Sequence, residues 1–163
     1  MTDLETFVET HLDLVHRFAV ALAGSGPDAD DLAQEVILRI LRIGPAIDPQ
    51  QGEARAYLLT ATRNLWRGMR SRRRHADPLA PEGPSAPISG EIDERVISRR
   101  LDQALAALPL SRRAVFWLAE VEGLSLVEIA RIESISLGTV KSRLHRARRE
   151  IRAVLVADLE IRT

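Results

Sequence analysis

The chain has 163 residues, with 23 Lys+Arg balancing 23 Asp+Glu, 45% apolar and 4% aromatic residues, and no Cys. That length allows one ordinary domain or two small ones, and the lack of Cys excludes a disulfide scaffold, a Cys-ligated zinc site, an iron–sulfur cluster and a thiol nucleophile. No apolar run approaches the ~18 residues that span a bilayer, and the acidic start Met1-Thr2-Asp3-Leu4-Glu5 is unlike a basic secretion signal, so a cytoplasmic protein without membrane insertion is expected.

Leu4, Phe7, Val8, Leu12, Val15, Phe18, Ala19 and Leu22 recur at three- and four-residue steps until Gly24-Ser25-Gly26, which predicts a first helix and its stop. Pro27 suits a first helical position, and Asp28, Asp30 and Asp31 follow where the helix dipole favours anions. Leu32, Val36, Ile40 and Ile43 form one stripe of this second helix. Gly44-Pro45, Asp48-Pro49 and Gly52 predict a loop, and a third helix from Ala54 to near Arg73 begins apolar and ends as a cationic rod. Residues 76–93 hold four of the eight prolines at a spacing of three, which predicts an extended, semi-rigid linker.

Beyond the linker a helix is expected over Ile92–Leu108, ended by Pro109, and another from Ser111 to near Glu122, with Gly123 as its C-terminal cap. Ser125-Leu126-Val127-Glu128 is a capping box, with Leu124 and Ile129 at its staple positions. Ser136 can cap a further helix, where Ile135 and Val140 repeat the staple. The short turn Ile132-Glu133-Ser134-Ile135 joins the two helices tightly, the pattern of a helix-turn-helix. In the second of them Val140, Leu144, Ala147 and Ile151 share a core stripe. Gly138, Thr139, Lys141, Ser142, His145, Arg146 and Arg149 are left to face outward, a mixture suited to base edges and phosphates in a major groove. No segment alternates with period two, so an all-α protein is expected: a domain over 1–75, a linker over 76–93 and a helix-turn-helix domain over 94–163. Each domain is small enough to bury only ~60% of its unfolded surface.

The zero net charge is strongly segregated. Residues 1–62 carry ten acids and four Arg, a net of −6. Residues 63–74 carry six Arg (63, 67, 70, 72, 73 and 74) and no acid, and residues 141–152 hold six cations against Glu150. Two cationic blocks separated by a linker are the footprint of a chain that meets phosphate at two places and keeps acidic surface for another partner. With so few aromatics, nucleic-acid contacts must lean on Arg, since stacking several bases needs several rings. Trp66 and Trp117 are assigned to core or interface packing. The acids Asp28, Asp30, Asp31 and Glu35 lie scattered round a helix axis without Ca²⁺-loop spacing, and His11 and His16 do not closely share a helix face. No metal, cofactor or nucleophile–base set is therefore expected.

Three stretches resemble a bacterial RNA polymerase sigma factor of the extracytoplasmic-function (ECF, sigma-70 family group 4) type: Asp28-Ala29-Asp30-Asp31-Leu32-Ala33-Gln34-Glu35-Val36, Ala61-Thr62-Arg63-Asn64-Leu65 with its Arg run, and Gly123 to Arg148. Leu105-Ala106-Ala107-Leu108-Pro109 and Arg113-Ala114-Val115-Phe116 extend the resemblance over nearly the whole chain. It implies a sigma-2 and a sigma-4 domain on a flexible linker. Asp31, Gln34, Glu35 and Leu38 would dock on the clamp helices of core RNA polymerase's largest subunit, and the rest of sigma-4 on its flap. The 44–53 loop and the start of the third helix would capture an unpaired base of the −10 element, with Asn64 as a base reader and Arg67, Arg70, Arg72, Arg73 and Arg74 on the adjacent backbone. Ser136, Gly138, Thr139, Lys141, Ser142, His145, Arg146 and Arg149 would read the −35 element as duplex. The resemblance also implies an anti-sigma factor as partner, and promoter opening without covalent chemistry.

An extended 18-residue linker reaches ~60 Å at about 3.3–3.6 Å per residue, or roughly 17 base pairs at ~3.4 Å each, so both domains can engage one promoter. The chain departs from the family pattern at Ile37, where Phe is usual, at Ala54 and Tyr57, where Phe and Trp are frequent, at Leu126 in place of Tyr, and at Ser134 in place of Gly. Two rivals are a sigma mimic that titrates an anti-sigma factor and a stand-alone helix-turn-helix regulator. A decoy needs no phosphate contacts, and a repressor needs a dimerisation or ligand domain where this chain has its acidic helices.

Overall fold

Helix α1 (Asp3–Ala23) folds because its apolar residues return every three to four positions; Phe7, Leu14, Val15, Phe18, Ala19 and Leu22 are all buried. The computed structural model describes residues 3–24, 26–43, 53–76 and 95–161. The predicted 44–53 loop, the 76–93 linker and the predicted helix start at Ile92 therefore fall largely or wholly outside the described residues. The chain divides into two compact units, Met1–Pro81 and Glu82–Thr163, and the described residues are almost entirely helical, with no strand among them. No helix among them is long and apolar enough to cross a membrane.

In the first unit α1 packs on α2 (Pro27–Ile43) and both pack on α3 (Glu53–Ala76). Gly24 and Gly26 both take positive φ between α1 and α2, the backbone state that ends a helix at little cost only for glycine. Ala29, Leu32, Ala33, Val36 and Ile40 of α2 close the core against Ala54, Leu58, Leu59, Leu65 and Trp66 of α3. Each large side chain buried here contributes about 1.5–3 kcal/mol. From Arg67 onward α3 leaves the core, and residues 71–76 are all exposed. The apolar-to-cationic change predicted along this helix thus becomes a buried half and a solvated half, ending three residues beyond Arg73.

Two spacings misplace a side chain. Leu12 belongs to the three-and-four series of α1, yet it is 46% exposed while Leu14 is buried. Ile43 extends the stripe of α2 on paper and is 48% exposed at the last turn. In both cases the helix period gives the direction of the side chain, while burial depends on whether another element lies there.

In the second unit α4 (Arg95–Ala107), α5 (Leu110–Phe116), α6 (Leu126–Glu133) and α7 (Leu137–Ile161) are assembled around α7, which packs on the other three. Ala104, Leu105, Leu108, Ala147 and Ile151 form one core cluster, with Leu101, Phe116, Trp117 and Leu155 against it. Pro109 breaks α4 from α5, and its carbonyl accepts the N–H groups of Arg112 and Arg113 at 3.0 Å. The helix expected over Ser111 to Glu122 is not uniform. After Phe116 it widens into a π-helical turn, Trp117–Val121, in which Glu122 N–H reaches back to the Trp117 carbonyl at 3.1 Å. Gly123, at φ +67°, then closes the turn, and Leu124 N–H bonds the Leu118 carbonyl at 3.0 Å.

Candidate nucleic-acid interface

The helix-turn-helix is built from local hydrogen bonds. Ser125 Oγ accepts from Glu128 N–H at 3.2 Å, while Glu128 Oε2 accepts from Ser125 N–H at 2.8 Å, so the capping box is complete. At the other end of α6, Ser134 takes the left-handed conformation (φ 54°, ψ 47°). This lets Ile135 N–H bond the Ala130 carbonyl at 3.1 Å, a Schellman closure in which Ser stands where Gly would be unstrained. Ser136 caps α7: its Oγ accepts from Thr139 N–H at 3.1 Å and lies 2.8 Å from Thr139 Oγ1.

Helix α7 then divides cleanly. Val140, Leu144, Ala147 and Ile151 are buried, as the stripe predicts. Ser136, Gly138, Lys141, Ser142, His145, Arg146 and Arg149 are exposed and Thr139 is half-buried. Gly138 to Arg149 fall at three- and four-residue steps along one face, a row about 16 Å long at ~1.5 Å per residue. A B-DNA major groove is ~12 Å wide and admits such a helix. A Cβ placed on Gly138 would meet only Ser136 Oγ, at 4.0 Å, so no side chain among the described residues requires glycine there.

In the first unit the residues expected at DNA lie along α3. Asn64, Arg67, Arg72, Arg73 and Arg74 are exposed and Arg70 is half-buried. Arg63, counted in the same basic block, is 5% exposed and belongs to the interior. Burial, with the nearby Arg74 and Arg63 cations, lowers the pKa of Arg70. Arg73 is engaged from across the domain. Its Nη1 donates to Asp28 Oδ2 at 2.8 Å and its Nη2 donates to Asp28 Oδ1. The Arg73 hydrogen bonds hold the Asp28 carboxyl below its ordinary range, and Asp28 in turn raises the pKa of Arg73.

On α2, Asp31, Gln34 and Leu38 are exposed and Glu35 is half-buried; their spacing places all four on one side of the helix. Glu35 pairs with Arg39 one turn on, at 3.6 Å. Gln34 and Leu38 also border an open groove of about 620 Å³ between α1 and α2, with Leu12, Asp13, His16, Asp30, Ala33 and Ile37. His16 Nε2 lies 3.4 Å from Asp30 Oδ1 across it, whereas His11 bonds the Phe7 carbonyl at 2.9 Å. Trp66 is buried and Trp117 packs on the second core.

Two family patterns match the chain: Sigma-70 region 2 over residues 7–76 and Sigma-70, region 4 over residues 98–151. The ECF RNA polymerase sigma factor SigL of Mycobacterium tuberculosis is 30% identical over 156 residues, covering 93% of this chain and 88% of that one. The chain belongs to the ECF family of RNA polymerase sigma factors. The RNA polymerase sigma-E factor of Streptomyces coelicolor is 32% identical over 98% of this chain and 90% of its own. The ECF sigma factor SigE of Mycolicibacterium smegmatis is 33% identical over 95% of this chain, which spans 62% of SigE's length. Among solved structures the fold matches the sigma factor RpoE of Bartonella quintana, in complex with the anti-sigma factor NepR, with a TM-score of 0.76 at 24% identity over 97% and 99% of the two chains. It also matches CnrH, in complex with the cytosolic domain of CnrY, with a TM-score of 0.66 at 24% identity over 95% and 88%.

Sigma factors are initiation factors, and the polymerase carries out the chemistry. In this ECF sigma factor the long-range ion pairs are what sequence reasoning missed. Arg148 Nε donates to Glu120 Oε1 at 2.7 Å, tying α7 to the π-helical turn, and Arg112 pairs with Glu150, tying α5 to α7. Arg148 is thus paired within its own unit, although its side chain is 58% exposed. The partners are 28 and 38 positions apart, so no local pattern in the sequence signals them.

Proposed function

We propose that this ECF sigma factor binds core RNA polymerase, recognises a promoter through two separate surfaces and opens it for transcription. The −35 element is read as duplex by Ser136, Gly138, Thr139, Lys141, Ser142, His145, Arg146 and Arg149 of α7. The −10 strand is held along α3, with Asn64 at a base and Arg67, Arg70, Arg72, Arg73 and Arg74 at the backbone. Asp31, Gln34, Glu35 and Leu38 on α2 dock on the clamp helices of the largest subunit, and the remainder of the second unit meets the flap. The division into residues 1–75, a linker over 76–93 and residues 94–163 suits this use. An anti-sigma factor is a further partner, and the protein works in the cytoplasm with its polymerase. The observation that carries the reading is the two-sided α7: four apolar residues buried on one face, and small residues with cations in a row on the other.

Run-off transcription with reconstituted holoenzyme tests this. Transcripts are expected from a cognate promoter; binding of core polymerase without transcripts from any genomic fragment would point to an anti-sigma decoy. Within the holoenzyme, Arg146→Ala is expected to cost about 1–3 kcal/mol on cognate −35 DNA and to relax specificity there, as loss of a base contact does. Arg72→Ala is expected to weaken all sequences alike. An Arg146→Ala effect of equal size on scrambled −35 DNA would remove Arg146 from the readers.

A further inference from the structure

Asp28 and Arg73 sit 45 positions apart and meet at the edge of the first unit, where the N-terminus of α2 approaches the cationic end of α3. The contact is the fork geometry that an arginine also uses on a phosphate: two N–H groups of one guanidinium on two oxygens of one anion. It is not sealed. The Arg73 side chain is 52% exposed, so a polyanion can reach it.

We propose that Asp28 is an internal stand-in for a DNA backbone phosphate, holding Arg73 in the free protein and yielding it when nucleic acid binds. This rests on the reading that the end of α3 meets the DNA backbone.

Both partners tolerate the exchange. Asp28 stands in the first turn of α2, where the helix dipole stabilises its charge after Arg73 has left. On the other side, Arg70 and Arg74 repel one another along α3, and a phosphate relieves that repulsion more fully than one carboxylate at the edge of the cluster. The pair therefore aims Arg73 before binding, and its loss is a small, defined cost of binding.

The test is a titration of the full chain against a fluorescein-labelled oligothymidylate, followed by anisotropy over a series of NaCl concentrations. Asp28→Asn is expected to bind about two- to fivefold more tightly than the parent, the strength of an exposed pair of good geometry. Arg73→Ala is expected to lower the slope of log K against log salt by about 0.7, one phosphate on a single strand. Adding Asp28→Asn to Arg73→Ala should change nothing further, because the two act through one contact. Asp28→Ser, which keeps a helix-starting side chain, guards against a folding defect of the Asn variant, and thermal unfolding of each variant checks this. If both Asp28 variants bind no tighter than the parent, or Arg73→Ala keeps the parent slope while Arg72→Ala lowers it, the pair is a fixed brace and the exchange is refuted. If Arg72→Ala and Arg67→Ala also keep the parent slope, the reading of α3 as a phosphate surface falls with it.

Discussion

Ser125, Ser134 and Ser136 do two different jobs, two of them through the hydroxyl and one through the backbone. Ser125 and Ser136 accept backbone N–H bonds at the starts of α6 and α7, and Ser134 takes a left-handed turn between them. The two caps are legible from spacing, because a cap reaches only three residues along the chain, whereas Ser134 stands out only by comparison with the Gly usual in the family. The Asp28–Arg73 pair is not legible in that way; Asp28 reads as a dipole-compatible acid, and its partner lies on another helix. The pair makes stability depend on pH with a definite sign. Arg73 depresses the folded-state pKa of Asp28, so the stabilisation is complete above the unfolded value of about 3.9 and is lost as pH falls through the lower folded value. Urea unfolding is expected to give the parent an advantage over Asp28→Asn of no more than about 1 kcal/mol at neutral pH, given the exposure of the pair, shrinking as pH falls below the ordinary carboxylate range. A difference that stays constant with pH would assign the effect to the helix start and not to the charge.

Among the elements, α7 has the sharpest division of labour. Its core face follows directly from Val140, Leu144, Ala147 and Ile151, and its opposite face is what remains. Gly138 tests whether that outer face is shaped for a ligand. Because an added Cβ meets nothing nearer than Ser136 Oγ at 4.0 Å, Gly138→Ala is expected to stabilise the protein by about 0.4–1 kcal/mol. It is also expected to weaken binding to cognate −35 duplex, since the methyl group occupies bare helix surface at the start of the reading row. Thermal unfolding and anisotropy on the same sample check both signs; a stabilised variant with parent affinity would show that the groove does not approach Gly138. The π-helical turn was not legible, because one extra residue in a helical stretch leaves the apolar pattern nearly unchanged. Its use is visible only in three dimensions, where Glu120 on that turn receives Arg148.

At the scale of the molecule, each unit has its own core and each is small, so stability is expected to be local. Leu58 is fully buried in the first unit, and Leu58→Ala should cost about 2–5 kcal/mol there, a large part of what a domain of this size holds. Amide hydrogen exchange is expected to lose protection in α1, α2 and α3 while α6 and α7 keep theirs; equal loss in both units would mean that they fold as one. Helix number, the caps of the helix-turn-helix, the buried stripe of α7 and the two cationic blocks were all determined by the sequence alone, because they depend on period and on hydrogen bonds within a turn or so. Tertiary structure alone decided what each cation faces. It buried Arg63, gave Arg73 to Asp28 and Arg148 to Glu120, exposed Leu12 and buried Leu14. Those outcomes depend on which helices lie against each other, and the energy of a charge or an apolar group is set by what faces it across that packing, not by its neighbours along the chain.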